Sequence, residues 1–327
     1  MKMKNSKKTG IAQRKFATTT PPPKILKILA TTDFSDVSRC GVGYAVALAE
    51  KLGAAVALLH VIEPRAWVSE LGSIVPARED SEVVASARAQ LATLAKREGK
   101  GDVAVTFSVS VQTGNPFHAI TTAARQQMAD LIVIATHGHR GFEPVLLGST
   151  AERVVRHGPC PVLTVPTRIT PKRTGKTSPF KLKKILVPVD FSDLSKDALP
   201  QATLLAARCG AELVLLHIVE KFPIDYFLGY GLINKMLVPL MKQAEADLEQ
   251  MAGGLSKSTG LNVSAVVRDG KPFEVICQTA KTLGADMIVL TTHGYTGLKH
   301  VWLGSTAERV VRHASYPVLA VRKLNRK

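Results

Sequence analysis

The residues best suited to hold an anion lie in a glycine-containing segment that occurs twice in the chain. In each copy a first glycine is followed, after nine residues, by a second glycine and then by two hydroxyl residues. Backbone N–H groups in such a loop, together with those of a helix that starts at its end, form a concave site for phosphate. The candidate residues are Gly138, Gly148, Ser149 and Thr150 in the first copy and Gly294, Gly304, Ser305 and Thr306 in the second.

A capping box would give the same serines a purely structural role. Ser149 and Glu152 in the first copy, and Ser305 and Glu308 in the second, have the spacing Ser-x-x-Glu. In a capping box these side chains satisfy the free N–H groups at the start of a helix without any ligand. Local chemistry supports the cap and the phosphate site equally, and the position of the loop after a strand favours the phosphate site.

Imidazole and carboxylate side chains lie close to these segments or to the strands that precede them. His137 and His293 directly precede the first glycine of each copy, which makes them candidate ligand contacts. Asp33 and Asp190 follow the first strand of each half, where they either contact a ligand or shape the turn into the next helix. We include all four among the candidate binding residues.

The sequence predicts no catalytic and no metal-binding residues. The segment 174–177 (Thr-Gly-Lys-Thr) imitates the end of a P-loop but lacks the upstream glycine. No base is placed beside a nucleophile, and no cluster of His, Cys and carboxylate residues has the spacing of a zinc site. His60 and His217, at the ends of buried strands, are expected to be structural. A binding module is therefore favoured over a slow ATPase or nucleotidyl transferase.

The elements that must position these residues are themselves duplicated. The segment LGSTAERVVRH occupies 147–157 and recurs unchanged at 303–313, and shorter motifs recur at an offset of 156 to 157 residues. This offset is the size of a whole domain rather than of a solenoid repeat. The predicted organisation is a basic tail over 1–23, a first domain over 24–167, a basic linker over 168–180 and a second domain over 181–323.

Each repeat alternates short apolar strands with helices. The strongest strand signals cover 130–134 and 286–290, and the apolar runs over 25–30, 55–62 and 185–189 also predict buried strands. Each Gly-x-Pro predicts a helix start, and a long helix is predicted over about 235–256 in repeat two. Strands that are apolar on both faces and alternate with helices predict a parallel sheet with helices on both sides. In such sheets a ligand binds beyond the carboxyl ends of the strands, where the strand order reverses. Gly41, Gly43 and Pro200 predict a late start or a kink in the first helix of each repeat.

The formal net charge of +17 is concentrated outside the predicted domains. Nineteen of the 43 Lys and Arg residues lie in 1–27, 168–184 and 322–327, which contain no acidic residue. The rest of the chain is close to neutral, so no specific nucleic-acid site is predicted. The four cysteines form no Cys-x-x-Cys pattern, which fits a reducing cytoplasm. No apolar run approaches the ~20 residues of a transmembrane helix.

Taken together, these motifs resemble the universal stress protein family. The similarity rests on Gly-x-x-Gly-x9-Gly-[Ser/Thr], on Asp-Phe-Ser after the first strand, on Leu-Leu-His and on a final Pro-Val-Leu, and it covers nearly all of both repeats. It implies an α/β fold of two Rossmann-like (adenine nucleotide alpha hydrolase-like) domains. Each would be a five-stranded parallel sheet with helices on both faces, and the domains would pair through their last strands. The first glycine of the motif is replaced by Ala135 in one repeat and by Thr291 in the other.

The resemblance further implies a cytoplasmic, ATP-binding regulatory or stress-response module. In ATP-binding members the aspartate after the first strand, here Asp33 or Asp190, lies near the adenine. The glycine loop, which here starts at Ala135 or Thr291, surrounds the ribose and phosphates. Mg²⁺ would arrive with ATP through the phosphate oxygens.

The sequence leaves open whether one repeat, both or neither binds nucleotide. Glu143 lies in the first loop where the second loop has Lys299, so repeat two has the better electrostatics for a phosphate. Repeat one has the smaller residue at the start of the motif, Ala135 rather than Thr291. Ala135 and Thr291, which replace the first glycine of the motif, favour the alternative. In that alternative the chain is a universal stress protein that binds no nucleotide and works through protein–protein interaction. An unidentified protein partner and a homodimer of tandem chains are the expected macromolecular partners.

Overall fold

One sheet continues from the first repeat into the second in the computed structural model of the chain. The structure describes residues 23–64, 67–68, 74–75, 81–101, 103–136, 148–166, 180–220, 229–292 and 304–322.

Repeat one alternates strands with helices, and residues that start and end its first helix are recognisable in the sequence. Its strands are β1 (Lys27–Thr31), β2 (Ala55–Ile62), β3 (Trp67–Val68), β4 (Ile74–Val75), β5 (Phe107–Thr113), β6 (Leu131–Thr136) and β7 (Val162–Pro166). Its helices are α1 (Asp36–Leu52), α2 (Ser81–Glu98), α3 (Pro116–Gln126) and α4 (Ser149–His157). The Ser35 side chain caps the start of α1, and Gly53 ends it in the left-handed conformation with a φ of 68°.

Repeat two has a similar element order, but its first helix is divided into two and its central helix is longer. Its strands are β8 (Lys184–Pro188), β9 (Glu212–Val219), β10 (Val263–Asp269), β11 (Met287–Thr291) and β12 (Val318–Val321). Its helices are α5 (Asp193–Lys196), α6 (Leu199–Cys209), α7 (Gly229–Thr259), α8 (Pro272–Leu283) and α9 (Ser305–His313).

The strands of the described residues form one main sheet in the order β10-β9-β8-β11-β12-β7-β6-β1-β2-β5, and β3 and β4 form a separate antiparallel pair. Within each repeat, neighbouring strands of the main sheet are parallel. The predicted α/β class with a mostly parallel sheet is confirmed. The strand order reverses between β1 and β6 in repeat one and between β8 and β11 in repeat two.

The two repeats join through their last strands, as the family resemblance implies. Strand β12 runs antiparallel to β7, and Leu319 lies directly opposite Leu163. These two leucines are 1% and 0% exposed. The sheet is therefore continuous and well packed at the junction, and the apolar core of one repeat extends into that of the other.

Helices cover both faces of this sheet. On one face α1, α2, α6 and α7 contribute the buried residues Leu48, Leu91, Leu205 and Leu248. On the other face α3, α4, α8 and α9 contribute Ile120, Val154, Ile276 and Val310. Because both faces are buried, the central strands are predominantly apolar, whereas the edge strands β5 and β10 alternate with polar residues.

The prediction of an irregular first helix is confirmed in repeat two and wrong in repeat one. In repeat two α5 ends at Lys196 and a new helix begins at Leu199, with Pro200 in its first turn. Proline is tolerated there because the first-turn N–H has no partner within the helix. In repeat one α1 is continuous, and a Cβ atom on Gly41 would lie 3.2 Å from the Cβ atom of Ala135. The glycine therefore allows α1 to approach β6 closely.

No helix in the described part of the chain is both long enough and apolar enough to cross a bilayer.

Candidate functional site

Several of the candidate binding residues that the structure describes lie at the carboxyl ends of the strands where the sheet order reverses. In repeat one Asp33 follows β1, and the neighbouring strand β6 ends at Thr136. In repeat two Asp190 follows β8, which neighbours β11. Because β1 and β6 are parallel, their carboxyl ends lie at the same edge of the sheet, where α/β proteins bind ligands.

Asp33 and Asp190 shape the turn into the first helix of each repeat. The backbone N–H of Ser35 donates to Asp33 Oδ1 over 3.0 Å, and Ser35 Oγ accepts from the N–H of Ser38. In repeat two the N–H of Ser192 donates to Asp190 Oδ1, also over 3.0 Å. The structural role that the sequence allowed for these aspartates is thus present. Asp33 is also exposed at the sheet edge, so a ligand can reach its carboxylate.

A histidine supports this turn from the neighbouring strand. His60 Nδ1 lies 2.8 Å from the carbonyl oxygen of Thr32, and this nitrogen donates because a carbonyl only accepts. The His60 ring lies 4.4 Å from the ring of Phe34, whose φ of 64° is unusual for a residue other than glycine. His217 has the same arrangement in repeat two, with Nδ1 2.9 Å from the carbonyl oxygen of Val189. Both histidines thus make the structural contacts expected of them, and their role remains a prediction.

The turn also keeps Asp33 ionised. Partial desolvation by the surrounding protein would by itself raise the pKa of this carboxyl group, but hydrogen bonds from Ser35 and Ser38 outweigh it and the pKa is lowered. A lowered pKa contributes stability at neutral pH, and that stability is lost as the pH falls through the folded-state pKa. At neutral pH Asp33 is therefore an anion that can only accept hydrogen bonds.

The capping box does not form, because α4 and α9 each start one residue earlier than such a box requires. Gly148 and Gly304 are the N-cap residues, and no side chain caps either helix among the described residues. Ser149 and Ser305 are the first helical residues. The cap interpretation of these serines is therefore wrong. The N–H groups at both helix starts receive no acceptor from a cap side chain, and they remain suited to an anion.

The remaining candidate residues divide between the described and the undescribed parts of the chain. Ala135 is buried in β6 beside α1, and Thr291 is half-buried at the end of β11. Thr150 and Thr306 are half-buried in the first turns of α4 and α9. His137, Gly138, His293 and Gly294 lie outside the described residues.

In repeat two a hydrogen bond joins the two ends of the glycine segment. The N–H of Gly304 donates to the carbonyl oxygen of Thr292 over 2.7 Å. The start of α9 is therefore held beside the end of β11, which places Ser305 close to the sheet edge.

Sequence reasoning missed a cluster of four charged side chains that links the two helices across the junction. Arg156 lies 3.1 Å from Glu152 in its own helix and 3.4 Å from Glu308 in the other repeat. Arg312 lies 3.1 Å from Glu308 and 3.1 Å from Glu152. We call these four residues the ion-pair ring. Their positions within the duplicated LGSTAERVVRH segment are the only sequence signal that could have indicated them.

We expect the ion-pair ring to contribute measurably to stability, because its side chains are only 26% to 35% exposed. In a double-mutant cycle, Glu152→Gln and Arg312→Gln should show a coupling energy of about 0.5–1.5 kcal/mol in denaturant unfolding. High salt should reduce that coupling only partly, since half-buried pairs are screened less than exposed ones. The control pair is Asp36 and Arg39, whose side chains are 92% and 41% exposed. Equal coupling in both pairs would contradict a special role for the ring.

Comparisons with known proteins agree with this fold. The sequence profile of the Universal stress protein family matches residues 24–166 and 181–322. The chain is 34% identical over 147 residues to Universal stress protein MJ0531 of Methanocaldococcus jannaschii, covering 43% of this chain and 82% of that protein. It is 26% identical over 305 residues to a universal stress protein of Mycolicibacterium smegmatis, covering 90% and 96% of the two chains.

Among solved structures, the fold is similar to that of a universal stress protein from Archaeoglobus fulgidus. The TM-score is 0.64 and the sequence identity 22%, with 93% of this chain and 98% of the other covered. At this identity the likeness concerns the fold alone.

Proposed function

The chain belongs to the universal stress protein family in its tandem form, and from that premise we propose that it is an adenine-nucleotide-binding regulatory module. Each competent repeat binds ATP at the carboxyl edge of its half of the sheet, and Mg²⁺ accompanies the phosphates. A protein partner then distinguishes the occupied from the empty state. Tight binding of a nucleotide, rather than its turnover, is the activity of the site.

The observation that carries this proposal is the pair of helix starts at Gly148-Ser149 and Gly304-Ser305, which no side chain of the described residues caps. A helix start has several N–H groups without partners and carries the positive end of the helix dipole. Proteins satisfy such groups with a cap side chain, with water or with a ligand. In repeat two the hydrogen bond from Gly304 to Thr292 holds the helix start beside the end of β11, and in repeat one α4 contacts β6. An anionic ligand at the edge where the sheet order reverses can therefore use these helix starts.

Asp33 and Asp190 supply the opposite end of the proposed site. Because Asp33 is ionised at neutral pH, it accepts hydrogen bonds from the amino or hydroxyl groups of a nucleoside and repels the phosphates. The site thus has a negative group near one end and positive dipole ends near the other. This polarity orients a nucleotide with its base toward the aspartate and its phosphates toward the helix.

The number of available interactions is sufficient for useful affinity. Binding in the micromolar range requires about 8 kcal/mol. Charge-assisted hydrogen bonds to phosphate contribute roughly 1.5–3 kcal/mol each, so a few of them supply most of this energy before ordering costs. Burial of the adenine ring would have to supply the remainder.

The proposal is tested first on protein purified without refolding. The protein is denatured, any released nucleotide is identified by mass, and the amount per chain is measured. We expect adenine nucleotide at one or two equivalents, or, if exchange is fast, saturable binding of Mg-ATP in a calorimetric titration. Two equivalents mean that both repeats bind, and one means that they have diverged. No released nucleotide and no saturable binding would refute the proposal and favour the protein–protein interaction alternative.

A further inference from the structure

A cleft of about 470 Å³ opens beside α9, at the residue where the proposed phosphate site begins. Its volume falls within the range of roughly 300–1,000 Å³ that is usual for small-molecule sites. Ser305 lies at one end of the cleft, and the other lining residues continue along α9 and onto the start of α8. The lining residues are Phe273, Ser305, Glu308, Arg309, Arg312 and His313.

Arg309 is the cation in this cleft whose charge is available to a ligand. Arg312 is neutralised by two carboxylates of the ion-pair ring. Arg309 is exposed, and among the described residues no carboxylate lies within ion-pair distance of it. Its guanidinium carbon lies 5.4 Å from the centre of the Phe273 ring instead. A guanidinium held over an aromatic face remains charged and can still donate hydrogen bonds to an anion.

Repeat one contains the same pair of side chains. The guanidinium carbon of Arg153 lies 4.3 Å from the centre of the Phe117 ring. Arg153 is exposed and, in the described part of the chain, has no carboxylate partner either. Phe117 and Phe273 are the aromatic residues of the duplicated Gly-x-Pro-Phe motif. The motif therefore places an aromatic ring under an unpaired arginine in both repeats.

The position of Arg309 on α9 brings it within reach of a ligand held at the helix start. Arg309 follows Ser305 by four residues, which is about one helical turn or ~6 Å along the axis. Side chains on an α-helix lean toward its N-terminus, so the guanidinium extends toward Ser305 rather than away from it. Both residues line the same cleft.

We propose that Arg309 and Arg153 bind the terminal phosphates of the nucleotide, and thereby select nucleoside triphosphates over monophosphates. This inference rests on the proposed function. Neither glycine segment offers a lysine of the P-loop type, and these arginines supply the missing positive charge from the helix itself. A guanidinium donates two parallel hydrogen bonds to a phosphate. The terminal phosphates of ATP lie farther from the adenine than the single phosphate of AMP, so ATP offers these arginines anionic groups that AMP lacks.

The test compares ATP and AMP on the full chain. In the Arg153→Ala/Arg309→Ala variant we expect the Kd of Mg-ATP to rise about 10- to 100-fold, as for the loss of charge-assisted hydrogen bonds, while the Kd of AMP stays within about twofold. Lysine at both positions should restore part of the ATP affinity, since it keeps the charge but not the two parallel donors. Both arginines are exposed, so these variants should fold normally, which far-UV circular dichroism checks.

A matched control removes the same net charge elsewhere. Arg88 on α2 and Arg208 on α6 are exposed and lie on the opposite face of the sheet. The Arg88→Ala/Arg208→Ala variant should keep the ATP and AMP affinities of the unmodified protein.

The possible failures separate the two proposals. If the unmodified protein binds neither ATP nor AMP, the proposed function and this inference both fail. If it binds ATP and the Arg153→Ala/Arg309→Ala variant keeps the same ratio of ATP to AMP affinity, only the role of the arginines fails. An equal loss for ATP and AMP also overturns that role, because the arginines would then support the site as a whole.

Discussion

Replacing Gly148 and Gly304 together with aspartate is expected to abolish nucleotide binding while leaving the fold as stable as before or slightly more stable. Both glycines are N-cap residues with extended backbones, at φ of −58° and −66° and ψ of 144°. Other residues adopt this conformation without strain. Aspartate is among the preferred N-cap residues, and its charge complements the positive end of the helix dipole.

The same carboxylate would remove the phosphate site. Its oxygens would accept the first-turn N–H groups that the phosphate uses, and its negative charge would repel the ligand. We expect the affinity for Mg-ATP to fall at least ~100-fold, which corresponds to about 2.7 kcal/mol. The free energy of unfolding should rise by a few tenths to about 1 kcal/mol per helix. Calorimetric titration and denaturant unfolding measure the two effects separately.

Asparagine at Gly148 and Gly304 is the matched control, because it has nearly the size and capping ability of aspartate but no charge. It should weaken binding less than aspartate does. If the aspartate variant binds ATP with unchanged affinity, the helix starts do not hold the phosphates. If both variants fail to fold, the backbone at these positions is more constrained than its dihedral angles indicate.

Truncation of the junction leucines is expected to have the largest effect on stability. Leu163 and Leu319 face each other where β7 and β12 pair, and both are buried. Leucine-to-alanine changes in a core cost about 2–5 kcal/mol each. Because these residues join the cores of the two repeats, the Leu163→Ala/Leu319→Ala variant should also uncouple their unfolding.

The two tryptophans allow this to be measured, since Trp67 lies in repeat one and Trp302 in repeat two. In single-tryptophan backgrounds, each fluorescence signal reports one repeat. The protein with intact leucines should show coincident denaturant midpoints, and the Leu163→Ala/Leu319→Ala variant should show two separate midpoints. Leu58→Ala is the control, because Leu58 is fully buried in β2, away from the junction. Its truncation should lower the free energy of unfolding of repeat one without weakening the junction. Coincident midpoints in the junction variant would mean that other contacts couple the repeats.

Much of the fold could be predicted from the sequence because strand and helix signals are local. The prediction of β2 over 55–62 matches the structure, and the predicted start of α3 and α8 at the proline of Gly-x-Pro is confirmed. The central helix of repeat two was predicted over about 235–256, but α7 spans Gly229–Thr259. Pro239 lies inside both the predicted and the observed helix, where a proline removes one backbone hydrogen bond.

The candidate site was only partly predictable, because local sequence patterns do not decide where its helices begin. Duplicated glycine and hydroxyl residues identified where an anion would be held. The helix can begin at the serine or one residue after it, and the Ser-x-x-Glu pattern is compatible with both starts. In the structure Glu152 pairs with Arg156 and Arg312, so its side chain does not reach back to the helix start. The partner that holds the Glu152 side chain, Arg312, lies 160 positions away in the sequence.

The sequence by itself determined the duplicated α/β architecture, the family and the loops where a ligand is expected, since periodicity and motif spacing depend on neighbouring residues. Only the tertiary structure decided that the serines are the first helical residues, that α1 is continuous and that arginines without a carboxylate partner among the described residues lie beside the proposed phosphate site. In the ion-pair ring, Arg156 contacts Glu308, which lies 152 positions away in the sequence, and Arg312 contacts Glu152, 160 positions away. Such contacts arise only after β7 and β12 pair, because the antiparallel junction is what brings α4 and α9 together.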